Sequence, residues 1–177
     1  MHIQKPFQNR FLVLSTIKVT DADTEGIRFK LEKMNFFGPK GCTVKKIQWE
    51  DRFNTRIPEI DQQHQKLFDF FNQLLEAASA QSCSSPQILG ILKEMVRYTD
   101  YHFTTEQNLM NEFNYPELLD HSKEHKLFMD KTLAFLSDFE QGRPELCRNM
   151  IAFLREWMVN HILNTDQRLG TFLFKII

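Results

Sequence analysis

Cysteine is scarce in this 177-residue chain. There are three, Cys42, Cys83 and Cys147, and no CxxC pair among them. An odd number of scattered thiols makes no even disulfide framework, so a reducing compartment and a cytoplasmic location are expected. An excess of charge of either sign is missing too. Twenty-two Lys and Arg stand against 23 Asp and Glu, a formal net charge of -1, which argues against a general binder of nucleic acid or of membrane surfaces. Long apolar runs are also absent. The longest near the beginning, Phe11 to Ile17, is too short to span a bilayer and ends at Lys18 rather than at a small-residue cleavage site, so neither membrane insertion nor export is expected.

What the chain does have is core material. It contains 17 Phe and is 42% apolar and 25% charged, values that suit one globular domain with a small appendage rather than a disordered chain. The appendage is distinct in charge and period. Residues 1–48 carry nine Lys/Arg against four Asp/Glu, whereas the rest is acidic. FLVLSTIKV (11–19) is rich in β-formers, GIRFKLEK (26–33) alternates apolar and charged residues, and the turn-like DADTEG lies between them. The expectation is a β-hairpin in an N-terminal extension, 1–47, whose basic face is a solvated surface; a start at Met34 would remove most of it. The main domain is expected over 48–177.

From about Pro58 the pattern becomes helical. Breakers at 82–86, 114–116 and 141–144 separate four apolar-periodic segments, expected at roughly 60–80, 86–113, 116–140 and 144–169. Pro86, Pro116 and Pro144 each fall where a helix should start. Asp61 is read as the N-cap of the first helix and Gly170 as the stop of the last. Short connections make successive helices antiparallel, so the expected fold is all-α, an up-down-up-down four-helix bundle.

The inward seams of these helices carry the chemistry. They read Ile60, His64, Leu67, Phe71, Leu74; then Ile88, Leu92, Met95, Thr99, His102, Glu106, Leu109, Phe113; then Leu118, His121, His125, Phe128, Thr132, Phe135; then Met150, Leu154, Trp157, His161. Five of the six histidines lie on these lines with one carboxylate, and no Lys or Arg joins them. A single histidine on an apolar stripe is ordinarily a hydrogen-bonded core residue. Here His102 and Glu106, and again His121 and His125, are four apart and share a face. Five imidazoles and a carboxylate in a dry interior would be strongly unfavourable without a cation, so a metal centre is expected. Asp166 follows His161 by five residues, which on an ideal α-helix turns the two about 140° apart. If both are ligands, the helix must widen near Asn164, as a π-bulge does.

His64, HFTTE (102–106), HSKEH (121–125) and HILNTD (161–166) together resemble the ligand pattern of the hemerythrin family. Trp49, IDQQH (60–64), the YP at 115–116 and Trp157 are similar to its bacterial single-domain members, the bacteriohemerythrins. The resemblance covers 49–177. It implies two non-haem iron ions. His121, His125 and His161 would bind one and His64 and His102 the other, with Glu106, Asp166 and an oxo or hydroxo group as bridges. Three imidazoles and three bridging atoms fill one octahedron, whereas two and three leave the other a vacant corner for dioxygen. The implied function is reversible dioxygen binding, for storage or for delivery to an oxygen-requiring enzyme, by a monomer that is not itself an enzyme. Phe103, Trp157, Met158 and Ile162 would wall the oxygen pocket, Met158 standing where the family usually has Leu.

Other readings compete. A di-iron enzyme, whether an oxidase, a peroxidase or a nitric-oxide-reacting protein, would use the same ligands. A sensor module would need an output domain, for which 48 residues are short. HSKEH also fits the HxxEH pattern of a zinc peptidase group, but that leaves His64, His102 and His161 idle. Glu124 is therefore read as a solvated helix residue, and Cys147 as a small core residue.

Overall fold

Pro58, not Asp61, opens the first helix. The computed structural model describes residues 44–80, 85–141 and 147–176. Four long helices run through them: α1, Pro58–Ala80; α2, Pro86–Glu112; α3, Leu118–Glu140; and α4, Cys147–His161. A π-helical segment, Ile162–Asp166, continues α4 without a break into α5, Gln167–Leu173. Helix α1 packs on α2, α2 on α3, α3 on α4, and α4 back on α1, which closes an all-α, antiparallel four-helix bundle. Among the described residues there is no strand, and no helix is long and apolar enough to cross a membrane. The hairpin expected within 11–33, the helix start expected at Pro144 and the side chain of Cys147 lie outside the described residues.

The seams point inward as expected. Leu67, Phe71 and Leu74 of α1, Ile88, Leu92 and Met95 of α2, Phe128 and Phe135 of α3, and Met150 and Leu154 of α4 are all buried. Removing each such side chain from water contributes on the order of 1.5–3 kcal/mol. Leu109, Phe113 and Leu118 are only partly buried, and they pack on a separate apolar cluster of Met110, Tyr115, Leu169 and Leu173 at one end of the bundle.

Local capping fixes where α2 begins and ends and where α3 starts. Ser85 caps α2 by accepting from the N–H of Ile88 at 3.4 Å, with Pro86 in the first helical position. Helix α2 ends in a Schellman motif. Asn114 takes a positive φ of 53°, the N–H of Asn114 donates to the carbonyl of Asn111, and that of Tyr115 donates to the carbonyl of Met110 at 2.8 Å. The Tyr115 and Met110 side chains meet in the apolar cluster. The reversal spends Pro116 and Glu117 on the turn, so α3 starts two residues later than the proline suggested.

The chain leading into α1 is tied to the bundle rather than trailing from it. The backbone N–H and C=O of Ile47 both bond the Asn72 side chain, at 2.9 and 2.8 Å. Trp49 and Phe53 pack on Phe68, and Phe53 lies edge-on to it. Asp61 is not an N-cap; its carboxylate accepts from the Thr55 backbone N–H and hydroxyl, at 2.8 and 2.7 Å. Gly170 is not a stop either. It sits inside α5, pressed against the Thr55 backbone, a close approach that only a residue without Cβ permits.

Candidate metal centre

All five seam histidines and both carboxylates converge at one depth. His64 comes from α1, His102 and Glu106 from α2, His121 and His125 from α3, His161 from the end of α4 and Asp166 from the π segment. Every one of them is buried. Their donor atoms form two groups, each within 4.8 Å: Glu106, His121, His125, His161 and Asp166 in one, and His64, His102, Glu106 and Asp166 in the other. The two groups share the carboxylates. The π segment expected from the five-residue spacing is present, centred on Asn164, and it brings Asp166 beside His161, with Oδ1 3.1 Å from Nε2.

The carboxylates are split between the groups atom by atom. Glu106 Oε2 lies 3.3 Å from His121 Nε2 and 3.1 Å from His125 Nε2. Its Oε1 faces His64 and His102, at 3.9 and 3.7 Å. Asp166 Oδ1 faces His121 and His161, at 3.3 and 3.1 Å, while Oδ2 faces His64 at 3.1 Å. All four oxygens and the Nε2 of His64 are buried without a hydrogen bond, an arrangement that costs free energy unless something else satisfies them. Three imidazole nitrogens also turn towards one another: His125 Nε2 is 3.0 Å from that of His121 and 2.9 Å from that of His161. Six-coordinate ions with bonds of about 2.1 Å set neighbouring ligand atoms about 3.0 Å apart. The donor set therefore fits metal ions, one per group.

Without a cation the carboxylates and imidazoles of the site shift one another's ionisation. Burial and the neighbouring Asp166 push the Glu106 carboxyl up, but His102, His121 and His125 outweigh them and hold it well below its ordinary value. Burial opposes ionisation of Asp166 as well, and His161, His121 and His64 overcome it. Burial would lower His121, yet both carboxylates raise it to about 10. His161 is raised in the same way, against burial, by Asp166 and Glu124. Burial wins at His102 and His125, which fall to about 4 and about 3. A proton on His121 thus supplies part of the positive charge that metal ions would bring.

Outside this ring, hydrogen bonds set two of the imidazoles. His102 Nδ1 is 2.9 Å from the Gln63 amide oxygen. His161 Nδ1 is 2.7 Å from Glu124 Oε2, which also accepts from the Thr165 hydroxyl at 2.9 Å. Glu124 is therefore no solvated bystander. Its side chain is 37% exposed and its carboxyl lies at about 2, because the bonds and charge of His161 and the Thr165 bond outweigh the upward push of burial. Sequence reasoning passed over Gln63, Glu124 and Thr165. The HxxEH spacing did mark Glu124, but pointed to a different chemistry.

A small pocket adjoins the centre. Phe103, Trp157, Met158 and Ile162 line it, and so do Leu67, Thr99 and Phe128, which sequence reading had placed only in the core. It touches His64 and His102, and also His161 and Asp166, but neither His121 nor His125, and it has room for one molecule of about water's size. Phe103 stacks on His125, with centroids 3.6 Å apart and planes 6° from parallel, and Trp157 stacks on His161 at 4.2 Å and 17°. The imidazoles are thereby walled by rings.

Comparison with known proteins agrees with this geometry. A family model described as the hemerythrin HHE cation binding domain matches residues 55–173. The bacteriohemerythrin of Stenotrophomonas maltophilia (strain R551-3) is 31% identical over 121 residues, 68% of this chain and 77% of that protein. The myohemerythrin of Theromyzon tessulatum is 29% identical over 119 residues, 67% and 87% respectively. A solved structure of wild-type hemerythrin superposes with a TM-score of 0.66 at 27% identity, covering 72% of this chain and 97% of that one. By its helices, its buried histidine–carboxylate cluster and the match over 55–173, the chain belongs to the hemerythrin HHE cation-binding family.

Proposed function

We propose that this protein binds dioxygen reversibly at a non-haem di-iron centre, as a carrier rather than an enzyme. His121, His125 and His161 would hold one iron and His64 and His102 the other, with Glu106 and Asp166 shared between them. The observation that carries the reading is the division of each carboxylate, one oxygen to each histidine group, with none of the four oxygens hydrogen-bonded. Two ferrous ions, when bound, supply the electrons with which dioxygen is held.

The chain's own residues supply the rest. Both imidazoles of the smaller group, His64 and His102, line the pocket, against His161 alone of the larger, so the space lies beside the position that has fewer ligands. Phe103, Phe128, Trp157, Met158 and Ile162 exclude water and so slow irreversible oxidation of the irons. Gln63 and Glu124 hold the His102 and His161 rings with Nε2 inward. A donor set rich in neutral imidazole and poor in carboxylate favours reversible two-electron exchange over high-valent chemistry. The role fits storage, or delivery to an oxygen-using enzyme, by a monomeric domain of 48–177.

Metal analysis with visible spectra of the reduced protein before and after exposure to air tests the reading. Two irons per chain and a band that appears with oxygen and vanishes on its removal are expected. Absence of stoichiometric iron would overturn the metal assignment. Continuous oxygen consumption with a reductant would make the protein an oxidase instead.

A further inference from the structure

The two halves of the centre differ in what lies behind their imidazoles. His102 and His161 both turn Nε2 inward, so Nδ1 carries the proton and donates outward. On the two-imidazole side the acceptor is the neutral amide oxygen of Gln63, at 2.9 Å. On the three-imidazole side it is the Glu124 carboxylate, at 2.7 Å. The outward nitrogens of His64 and His121 are buried without a hydrogen bond.

Glu124 is held for this task. Thr165 donates to the same oxygen, Oε2, that His161 uses, and Thr165 belongs to the π segment immediately before Asp166. The widened turn thus does two things in consecutive residues: Thr165 fixes the carboxylate behind His161, and Asp166 enters the centre in front of it. An anionic acceptor draws the Nδ1 proton towards itself and raises electron density at Nε2; an amide does so far less.

We infer that Glu124 is a positioning residue that makes the two metal positions electronically unequal: acting through His161, it makes the three-imidazole position the better holder of a trivalent ion, while Gln63 leaves the two-imidazole position to stay divalent longer. The inference rests on the two-iron reading above. It adds to it a built-in order of oxidation, in which the position backed by Glu124 would be oxidised first and the position backed by Gln63 second.

The test is a spectroelectrochemical titration of the iron-loaded full chain, with iron content measured on the same samples. Glu124→Gln removes the charge but keeps an oxygen able to accept from both His161 and Thr165. Gln63→Glu places a charge on the other side. With two irons retained, Glu124→Gln should move the ferric-to-ferrous ratio at the first step about tenfold towards ferrous, an upward shift of about 59 mV for one electron. Gln63→Glu should shift a step the opposite way. Either variant carries the test if the other fails to load. A loaded variant with unchanged potential overturns the inference and leaves the two-iron reading standing, because a merely structural carboxylate would not move the potential of an intact centre. Wild-type protein without an iron pair would remove both.

Discussion

Gly170 lies so close to the chain entering α1 that a Cβ built on it would meet the carbonyl oxygen of Thr55 at 2.3 Å. Thr55 is in turn bonded to Asp61 through its N–H and its hydroxyl, so the obstructing atom is backbone and is held in place. Gly170→Ala should therefore destabilise the fold by roughly 1–3 kcal/mol through overpacking, seen as a lower denaturant midpoint. An unchanged midpoint would mean that the entering segment shifts at no cost.

Metal loading should depend on pH through protons already in the site. His121, raised to about 10, is protonated near neutrality, and His161 is raised as well, so a metal ion must displace protons to bind. Loading should weaken as pH falls and release protons near pH 7. The metal-free fold runs differently. The stability lent by His121 is complete below its unfolded value of about 6.5 and fades as pH rises through about 10. That lent by Glu106 and Asp166, whose folded values are depressed, is present above about 4 and is lost as pH falls through those lowered values. Titration calorimetry in two buffers of different ionisation heat measures the proton release; identical heats in both would contradict it.

His102 has the burden of a two-imidazole position, where losing one ligand halves the imidazole supply. His102→Ala should leave about one iron firmly held per chain and abolish the oxygenated spectrum. Retention of that spectrum would remove His102 from the ligand set and break the division into groups.

Met158 is 2% exposed and lines the pocket. Met158→Leu should cost less than about 1.5 kcal/mol, since volume is nearly conserved. Met158→Ala should cost roughly 2–5 kcal/mol by leaving a cavity. That cavity sits beside His64, His102 and Asp166, polar partners that let water enter, so the oxygenated form should decay faster in the alanine variant than in the leucine one. Equal lifetimes would show that this side chain does not keep the site dry.

What the sequence could reveal here was whatever depends on local spacing. His102 and Glu106, or His121 and His125, share a helix face because they are four apart, and a helix that must present both His161 and Asp166 has to widen between them. Gly170 and Asp61 misled. Glycine usually ends helices and aspartate usually caps them, but Gly170 answers to Thr55 across the fold, and Asp61 turns its carboxylate back to Thr55 in the segment that enters α1. Glu124 was hidden similarly: it is half-exposed on α3, and its histidine partner is 37 residues away on another helix. The atom-by-atom division of Glu106 and Asp166 is likewise a product of packing, with no signature in the order of residues.

Truncation separates the extension from the domain. Removing 1–47 takes away the Ile47 pair of bonds to Asn72 and the Lys45 carbonyl that accepts from Arg155. None of these touches a residue of the centre, and Trp49, Phe53 and Thr55 stay in place. The shortened chain should keep both irons and its oxygenated spectrum, at a cost on the order of 1–3 kcal/mol for the stranded Asn72 amide. Removing 1–57 is a different operation. It deletes Phe53 from the face of Phe68, strips Thr55 from Asp61, and takes away the Arg52 and Asn54 carbonyls that accept from Gln167, the residue after Asp166. The π segment then loses its outer support, so iron content should fall with the second cut and not the first. Equal iron loss from both cuts would show that the extension is integral to the domain.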